Sequence, residues 1–349
     1  MSGQNKKSPS KKSQSKKPRI AIVATGGTIA STASNSAQLA DYQVSTGVES
    51  LALAVPALND VADLVFDQVC NIESHEVNDD VLRQLALSVQ GFCDRDDIDG
   101  VVVTHGTDTL EETAYSLHLA IDTCKPVVMV GAMRPASALS ADGPLNLFHA
   151  VVVASDAQSK GKGVLVVMND RIASARHVTK GHANAVDAFV PTEFGYLGLV
   201  FGQWVQYQSA VITPHTADSI FKRFFEGTPA TDSALLPAVD MILDYQGAGT
   251  HQYRAAIESG AKGIVLAATG QGSLSPQARK GALMAKEAGV VVVRSTRVWQ
   301  GVVRTSEKDR LHDTVAAFTL NAVKARVLLR LALARFTDVP TVRQWFASY

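Results

Sequence analysis

Short apolar runs alternate with amphipathic stretches along the chain from Arg19 onward. The runs at 20–24, 100–104 and 163–168 are almost continuously apolar, which is typical of strands buried on both faces. Helical patterns separate them, so we expect a parallel sheet covered by helices on both sides. Ligands of such sheets bind outside the carboxyl ends of the strands. The loops at those ends are therefore where functional residues are expected.

Helix signals lie between the predicted strands. Residues 48–58 have helical periodicity, and residues 62–69 are typical of a strand. Asn78 comes just before a stretch whose apolar positions fall on one face, and it is the expected N-cap. Thr109 and Glu112 have the spacing of a capping box, which predicts that another helix begins there.

The order of these elements predicts two domains. The pattern loosens between Thr213 and Leu236 and alternation then resumes, with closing helices expected near 321–335 and 340–347. The expected fold class is α/β, with a larger N-terminal domain whose mainly parallel sheet is flanked by helices, and a smaller C-terminal α/β domain. The predicted boundaries are a Lys/Ser-rich arm at 1–18, an N-terminal domain at 19–212, a linker at 213–236 and a C-terminal domain at 237–349.

Charge is unevenly distributed although the totals balance. The 349 residues include 33 Lys and Arg and 33 Asp and Glu, and Asp41 is the first acidic residue. Seven basic residues precede it, which leaves 26 basic against 33 acidic residues in the rest of the chain. A negatively charged body argues against nucleic-acid binding. The arm is expected to be a disordered, solvated tail, with a weak electrostatic tether to nucleic acid or a membrane surface as the alternative.

The arm and the cysteines bear on location and metal chemistry. The arm has no apolar centre of the kind a secretory signal needs, and no apolar stretch is long enough to span a membrane. Cys70, Cys93 and Cys124 show no motif spacing, which is typical of a reduced cytoplasmic protein. We therefore expect a cytoplasmic protein without a metal site.

The first strand-end motif is "ATGGTIA", which contains Thr28. It lacks the lysine of a Walker loop and the third glycine of a dinucleotide fingerprint, so a phosphate-binding loop is disfavoured. A plain tight turn stays open. The alternative is that Gly27 lets a substrate approach the backbone while the hydroxyl of Thr28 attacks it, activated by a base from elsewhere.

The second motif, "VVVTHGTDTLEET", follows another predicted strand. The helix start accounts for Thr109, but it does not account for Thr107 and Asp108. Asp108 can pair with an ammonium group, and Thr107 can position a water molecule or act as a second nucleophile. His105 is expected to be structural and to satisfy backbone groups at the strand end.

With both motifs at strand ends of one sheet, the chain resembles the bacterial L-asparaginase family. The resemblance runs from about Pro18 to Tyr349 and includes "KPVVMVGAMRP", "SADGPLNL", "GVLVVMND" and "VRSTRV". It is nearest to the type II branch, which is often periplasmic, so a periplasmic location is the alternative. The family implies an L-asparagine amidohydrolase that forms L-aspartate and ammonia through a threonine acyl-enzyme, with secondary L-glutaminase activity and no cofactor.

The resemblance also implies catalytic roles. Thr28 would be the nucleophile. Tyr42, in a mobile loop, would close over the site and polarise Thr28. Thr107 and Lys180 would form a second hydroxyl–amine pair, in which a desolvated lysine can act as a base. Asp108 would hold the α-ammonium group of the substrate.

Substrate binding by the family's pattern involves further residues, some of which depart from it. Ser74 would hold the α-carboxylate, and His75 follows it where the family commonly has Gln or Glu. Ser273 stands where strict asparaginases usually have Asn and broader glutaminase-asparaginases often have Ser. Glu307 is the candidate for the acid that a neighbouring subunit contributes.

The implied assembly is a homotetramer, a dimer of intimate dimers, with each site between the large domain of one chain and the small domain of its partner. The expected partner is a small-molecule substrate, not nucleic acid or a membrane. Two alternatives are an asparaginase-like subunit of a tRNA-dependent amidotransferase and a non-catalytic amino-acid sensor. The first should carry a folded N-terminal extension, and the second could dispense with Thr28 or Lys180. A Cys93–Cys124 disulfide, suggested by some periplasmic members, is left open.

Overall fold

The computed structural model describes residues 16–32, 35, 43–44, 46–226 and 236–349. These residues form two α/β domains, each built on its own parallel or mainly parallel sheet, so the expected fold class is confirmed. The first sheet ends at Tyr207 and the second begins at Val239. The predicted arm lies mostly outside the described residues, as do residues 227–235 of the predicted linker.

The strands of the first domain are β1 (Arg19–Gly26), β2 (Ser31–Thr32), β3 (Gln43–Val44), β4 (Asp63–Ile72), β5 (Gly100–Thr104), β6 (Val127–Val130), β7 (Val164–Met168), β8 (Arg171–Ser174), β9 (Val178–Lys180), β10 (Phe189–Pro191), β11 (Gly198–Phe201) and β12 (Trp204–Tyr207). Its helices are α1 (Val48–Leu53), α2 (Leu58–Val61), α3 (Asp79–Asp94), α4 (Leu110–Ala120) and α5 (Gly143–Ser155). The second domain contains β13 (Val239–Leu243), α6 (His251–Glu258), β14 (Gly263–Ala268), α7 (Pro276–Glu287), β15 (Val291–Thr296), α8 (Glu307–His312), β16 (Thr314–Ala316), α9 (Ala322–Leu333) and α10 (Val339–Ser348).

The large sheet has the strand order β12-β11-β8-β7-β6-β5-β1-β4. Neighbours from β4 through β7 pair in parallel, whereas β8, β11 and β12 form an antiparallel edge. Numbered by their appearance in the chain, the parallel strands run 2-1-3-4-5, so the winding direction reverses between β1 and β5. Open sheets of this kind bind ligands at that reversal, outside the carboxyl ends of the strands.

Apolar side chains on both faces of the large sheet account for its continuous hydrophobic strands. Ile20 and Ile22 of β1 pack on one face, in the core that includes Leu147 of α5. Ala21 and Val23 lie in a second core on the other face, with side chains from α3 and α4. This second core continues into the small domain through α9, so the two domains share buried surface.

Two local expectations need correction. Residues 48–58 do not form one helix, because α1 ends at Leu53 and α2 begins only at Leu58; Pro56 lies in the break, where its ring disfavours a continuous helix. Thr109 does precede α4, but its side chain makes no capping hydrogen bond. Asn78 is the N-cap of α3 as predicted, since its Oδ1 accepts from the backbone N–H of Val81 at 3.0 Å.

The C-terminal domain packs firmly against the N-terminal one. Arg330 of α9 donates two hydrogen bonds to Asp79 at the start of α3, at 2.8 and 2.5 Å. Phe221, within the predicted linker, is fully buried in the shared core, so this part of the linker is a packing element. Cys93 and Cys124 are free thiols, and burial raises the pKa of the Cys93 thiol to about 11.

Candidate active site

The loops after β1 and β5 touch each other backbone to backbone. Gly26 and Gly27 have φ values of +100° and +84°, which L side chains rarely adopt. A Cβ atom at Gly27 would lie 2.3 Å from the Cα and N atoms of Gly106, and one at Gly26 would lie 2.6 Å from the backbone of Ile72. The double glycine therefore serves a close approach of two strand-end loops.

This approach brings Thr28 beside the second motif. Thr28 begins the short 3-10 helix Thr28–Ala30 directly after Gly27, and it is buried. The hydroxyl of Ser31 donates to the carbonyl of Gly27 at 2.9 Å, which closes the turn from inside. Thr28 is thus held at the carboxyl end of β1, at the point where the winding of the sheet reverses.

Lys180 joins the two polar residues that the helix start did not explain. Its Nζ atom donates to the Oγ1 of Thr107 at 3.0 Å and to the Oδ1 of Asp108 at 2.6 Å. The Lys180 side chain is 17% exposed, whereas that of Asp108 is 63% exposed. An amine, a hydroxyl and an accessible carboxylate therefore meet beside the loop of Thr28.

Ser74 is fixed from two sides by the same loop. Its Oγ atom accepts the backbone N–H of Asp108 at 3.0 Å, and its carbonyl accepts the hydroxyl of Thr109 at 2.7 Å. Thr109 is therefore used for this tertiary bond instead of the expected cap. A Cβ atom at Gly106 would lie 2.8 Å from the Cβ of Ser74, so glycine is needed there for the contact.

Two histidines flank these residues and differ in environment. His75 is largely exposed, and its Nδ1 atom lies 3.3 Å from the Oε2 of Glu73. His105 is fully buried, with Nδ1 at 2.7 Å from the carbonyl oxygen of Gly106. Burial lowers the pKa of His105 to about 4. A neutral ring donating to that carbonyl fits the structural role expected for it.

Of the remaining predicted residues, the two on the small domain are not part of this cluster. Tyr42 lies outside the described residues. Ser273 follows β14 on the small domain, is exposed, and donates its backbone N–H to the carbonyl of Thr269 at 2.8 Å. Glu307 is the first residue of α8 and pairs with Arg310 at 3.3 Å, with 74% of its side chain exposed.

Ser273 and the start of α8 border one cavity of about 290 Å³, which Arg304 and Lys308 also line. Beneath it, the guanidinium of Arg294 donates to both carboxylate oxygens of Asp309 at 2.9 and 2.6 Å. Both side chains of this pair are about 95% buried. Ser273 and Glu307 are therefore exposed groups that lie above a buried ion pair.

The groups that anchor the strand of Lys180 were not predicted from the sequence. Glu111 of α4 accepts the hydroxyl of Thr179, the residue before Lys180, at 2.9 Å. Asn321 and Lys324, at the start of α9, contact the same carboxylate. The sequence did contain one signal, the adjacent Glu111 and Glu112 after the second motif. The expected capping box needed only Glu112, which left Glu111 without an assigned role.

Two further findings concern other kinds of site. Among the residues that the structure describes, no group of three or more His, Cys, Asp and Glu side chains is arranged to hold a metal ion. No helix in that part of the chain has both the length and the apolar character needed to cross a membrane.

The fold and this cluster define a two-domain α/β protein with a polar cluster at the reversal point of its larger sheet. Comparison with known families is more specific. Residues 19–213 match the family model described as "Asparaginase, N-terminal", and residues 238–346 match "Glutaminase/Asparaginase C-terminal domain". The chain therefore belongs to the asparaginase family of amidohydrolases.

Individual relatives span nearly the whole chain. The "L-asparaginase 2" of Bacillus subtilis is 43% identical, covering 100% of this chain and 94% of the relative. The "Glutaminase-asparaginase" of Acinetobacter glutaminasificans is 41% identical, covering 95% of this chain and 100% of the relative. The crystal structure of a "Probable Cytoplasmic L-asparaginase" from Campylobacter jejuni superimposes with a TM-score of 0.90 at 40% identity, covering 95% of this chain and 100% of that one.

Proposed function

We propose that this enzyme hydrolyses the side-chain amide of L-asparagine to L-aspartate and ammonia through a threonine acyl-enzyme. The observation that carries the proposal is the contact of Lys180 with Thr107 and Asp108 beside the Thr28 loop. Membership of the asparaginase family and the names of its relatives support the same reaction.

The proposed reaction has two steps. In the first, the hydroxyl oxygen of Thr28 bonds to the amide carbon, its proton is taken up by the polar cluster, and the carbon–nitrogen bond breaks as ammonia leaves with a proton. In the second, water attacks the resulting ester, which releases L-aspartate and restores the Thr28 hydroxyl. The hydrogen bond between Lys180 and Thr107 at 3.0 Å gives the proton a path within the cluster.

In this proposal, the α-ammonium group of the substrate competes with Lys180 for the carboxylate of Asp108. The exposed carboxylate of Asp108 pairs with Lys180 at 2.6 Å, and the α-ammonium group of asparagine would compete for it. Binding would then weaken the hold of Asp108 on Lys180 and leave the amine for acid–base work on Thr107. The α-carboxylate would lie toward Ser74, with His75 beside it.

Further parts of the proposal concern specificity and assembly. Ser273 is expected to permit L-glutamine as a secondary substrate, and a relative named glutaminase-asparaginase supports this. Tyr42 would close over Thr28, and Glu307 would enter the site of a neighbouring chain in a homotetramer. No cofactor takes part in the proposed reaction. A cytoplasmic location stays a prediction, and the Campylobacter relative, described as a probable cytoplasmic enzyme, is consistent with it.

Ammonia release from the purified enzyme tests the reaction. We expect Thr28→Ala to lose activity by at least about a thousandfold, while calorimetry finds the affinity for L-aspartate changed by less than about threefold, because only the nucleophile is removed. Thr28→Ser, which keeps a hydroxyl, is the matched control and should retain measurable turnover. Near-normal turnover in Thr28→Ala would rule out the threonine mechanism. Wild-type protein that binds asparagine without releasing ammonia would instead indicate a sensor.

A further inference from the structure

Lys180 lies at the end of a short strand outside the large sheet. Its strand β9 pairs with β10 in a two-stranded antiparallel sheet that is separate from the eight-stranded one. Each strand has only three residues. Isolated two-stranded pairs of this size are marginally stable, so the position of Lys180 depends on other contacts.

Those contacts come from helices α4 and α9. The hydroxyl of Thr179 donates to the Oε1 of Glu111 at 2.9 Å, and Asn321 donates to the Oε2 of Glu111 at 2.9 Å. Asn321 also donates to the hydroxyl of Thr179 at 3.3 Å. The ammonium of Lys324 lies 3.3 Å from Glu111 and donates to the backbone carbonyl of Val178.

Because this cluster is buried, its charged groups need paired and hydrogen-bonded partners. The Lys324 side chain is 2% exposed and that of Glu111 is 12% exposed. Burial lowers the pKa of Lys324 and the Glu111 carboxylate opposes that shift, while Arg176 adds positive charge nearby. A buried charge persists only when it is paired and hydrogen-bonded, so Glu111, Lys324 and their neutral partners form one unit.

We propose that Glu111, Asn321 and Lys324 are positioning residues for the catalytic lysine. Successive side chains of a strand point to opposite faces. Thr179 is therefore anchored toward α4 and α9 while Lys180 extends the other way, to Thr107. The small domain of the same chain thus supports the strand that carries the lysine, whatever a neighbouring subunit adds. This inference rests on the proposed function, in which Lys180 takes part in the chemistry.

Thr179→Val tests the anchor with little change of shape. It removes the hydroxyl that bonds to Glu111 and keeps a β-branched side chain for the strand. We expect kcat to fall by roughly tenfold, with KM and the affinity for L-aspartate changed by less than about twofold. Thr179→Ser, which keeps the hydroxyl, should restore most of kcat.

A matched control is Thr192→Val, because the buried hydroxyl of Thr192 has no hydrogen-bond partner among the described residues. It should leave kcat unchanged. Asn321→Ser gives an independent variant, since serine can still cap α9 but loses the amide donors to Glu111 and Thr179; its kcat should also fall.

Lys180→Met separates failure of this inference from failure of the proposed function. The proposed function requires Lys180→Met to be nearly inactive, and normal turnover in it would overturn both. If Lys180→Met is inactive while Thr179→Val and Asn321→Ser turn over like wild type, positioning alone is overturned. The double variant Thr179→Val/Lys180→Met should be no slower than Lys180→Met. An additional tenfold loss would mean that Thr179 acts by another route and would also overturn the positioning role.

Discussion

The two domains present their candidate site residues in different ways. In the large domain, Thr28 and Thr107 lie in loops that contact each other at Gly27 and Gly106, and Lys180 at the end of β9 reaches Thr107. In the small domain, Ser273 and Glu307 are exposed and bond to near neighbours in their own loop or helix. Folding of one chain is therefore enough to bring the large-domain groups together. The small-domain groups instead face outward, away from their own fold. An outward face suits the proposed neighbouring site.

Replacing a glycine in each region should give the largest contrast. Gly27→Ala places a methyl group 2.3 Å from Gly106, so the loops must separate. We expect kcat to fall by at least about a hundredfold, since a displacement near 1 Å at a catalytic group can cost that much. Gly270→Ala is the control, because it also has positive φ but no atom within 4 Å of the added Cβ. It should cost about 1–2 kcal/mol of stability and leave kcat within about threefold; equal losses of kcat in both would remove the contrast.

Subunit mixing asks whether the small-domain face serves another chain. Thr28→Ala and Glu307→Ala are each expected to be nearly inactive, because each proposed site would lack one component. Unfolding and refolding them together should restore roughly a quarter of the sites if pairs form at random under two-fold symmetry. Each variant refolded alone is the control. A mixture that stays inactive would mean that Glu307 is the wrong acid or that the site is complete within one chain.

Lowering the pH should destabilise the large-domain site before it destabilises the buried Arg294–Asp309 pair of the small domain. The pKa of buried His105 is lowered from 6.5 to about 4. At Asp309, burial raises the pKa, but the hydrogen bonds from Arg294 and Thr314 outweigh it and lower the pKa below 3.8. Both lowered values mean that stability is present above the unfolded pKa and lost as pH falls. His105 contributes about 3 kcal/mol to the free energy of unfolding, and this contribution is lost between pH 6.5 and 4. The contribution of Asp309 is lost only below pH 3.8.

Hydrogen exchange followed by mass spectrometry at pH 7, 5 and 3 measures this order by region. Peptides around residues 100–107 should lose protection by pH 5, and peptides around 294–309 only nearer pH 3. His105→Gln should weaken the dependence between pH 6.5 and 4. Earlier loss of protection around Asp309 would contradict the assignment.

Ser273→Asn should have the smallest effect. The added amide would occupy space at the edge of the small-domain cavity, where a longer substrate is expected to need room. We expect the ratio of glutaminase to asparaginase kcat/KM to fall by roughly tenfold, the lower end of the range for a change of about one methylene in a pocket. Ammonia release from both amides measures the ratio. Wild-type enzyme inactive on millimolar glutamine would contradict the role of Ser273.

The sequence predicted best what depends on burial alone. Runs such as Gly100–Thr104 are strands because both faces of the sheet are covered, and Asn78 caps α3 because a cap is a local interaction. The short antiparallel strands β8, β11 and β12 were not predicted, since each has only four residues and β11 and β12 are half exposed. The contact of Lys180 with Thr107 spans 73 positions, and only the family resemblance indicated it.

What the sequence could not indicate are choices between competing partners. Thr109 had a good local partner in the predicted capping box, yet its hydroxyl bonds to Ser74, 35 positions away. The carboxylate of Glu111 likewise crosses to Lys324, 213 positions along the chain. Such choices depend on how the loops and helices pack, because each local alternative is worth only about 1 kcal/mol.

The buried pair of Glu111 and Lys324 also limits how this protein can be divided or recombined. A fragment that ends before α9 would leave the carboxylate of Glu111 without its cation, beside the strand that carries Lys180. A chimera that replaces the small domain would meet the same difficulty unless the replacement supplied an amide and an amine at the places of Asn321 and Lys324. The useful crossover points for domain shuffling therefore depend on this ion pair more than on the linker, and α9 should be inherited together with α4.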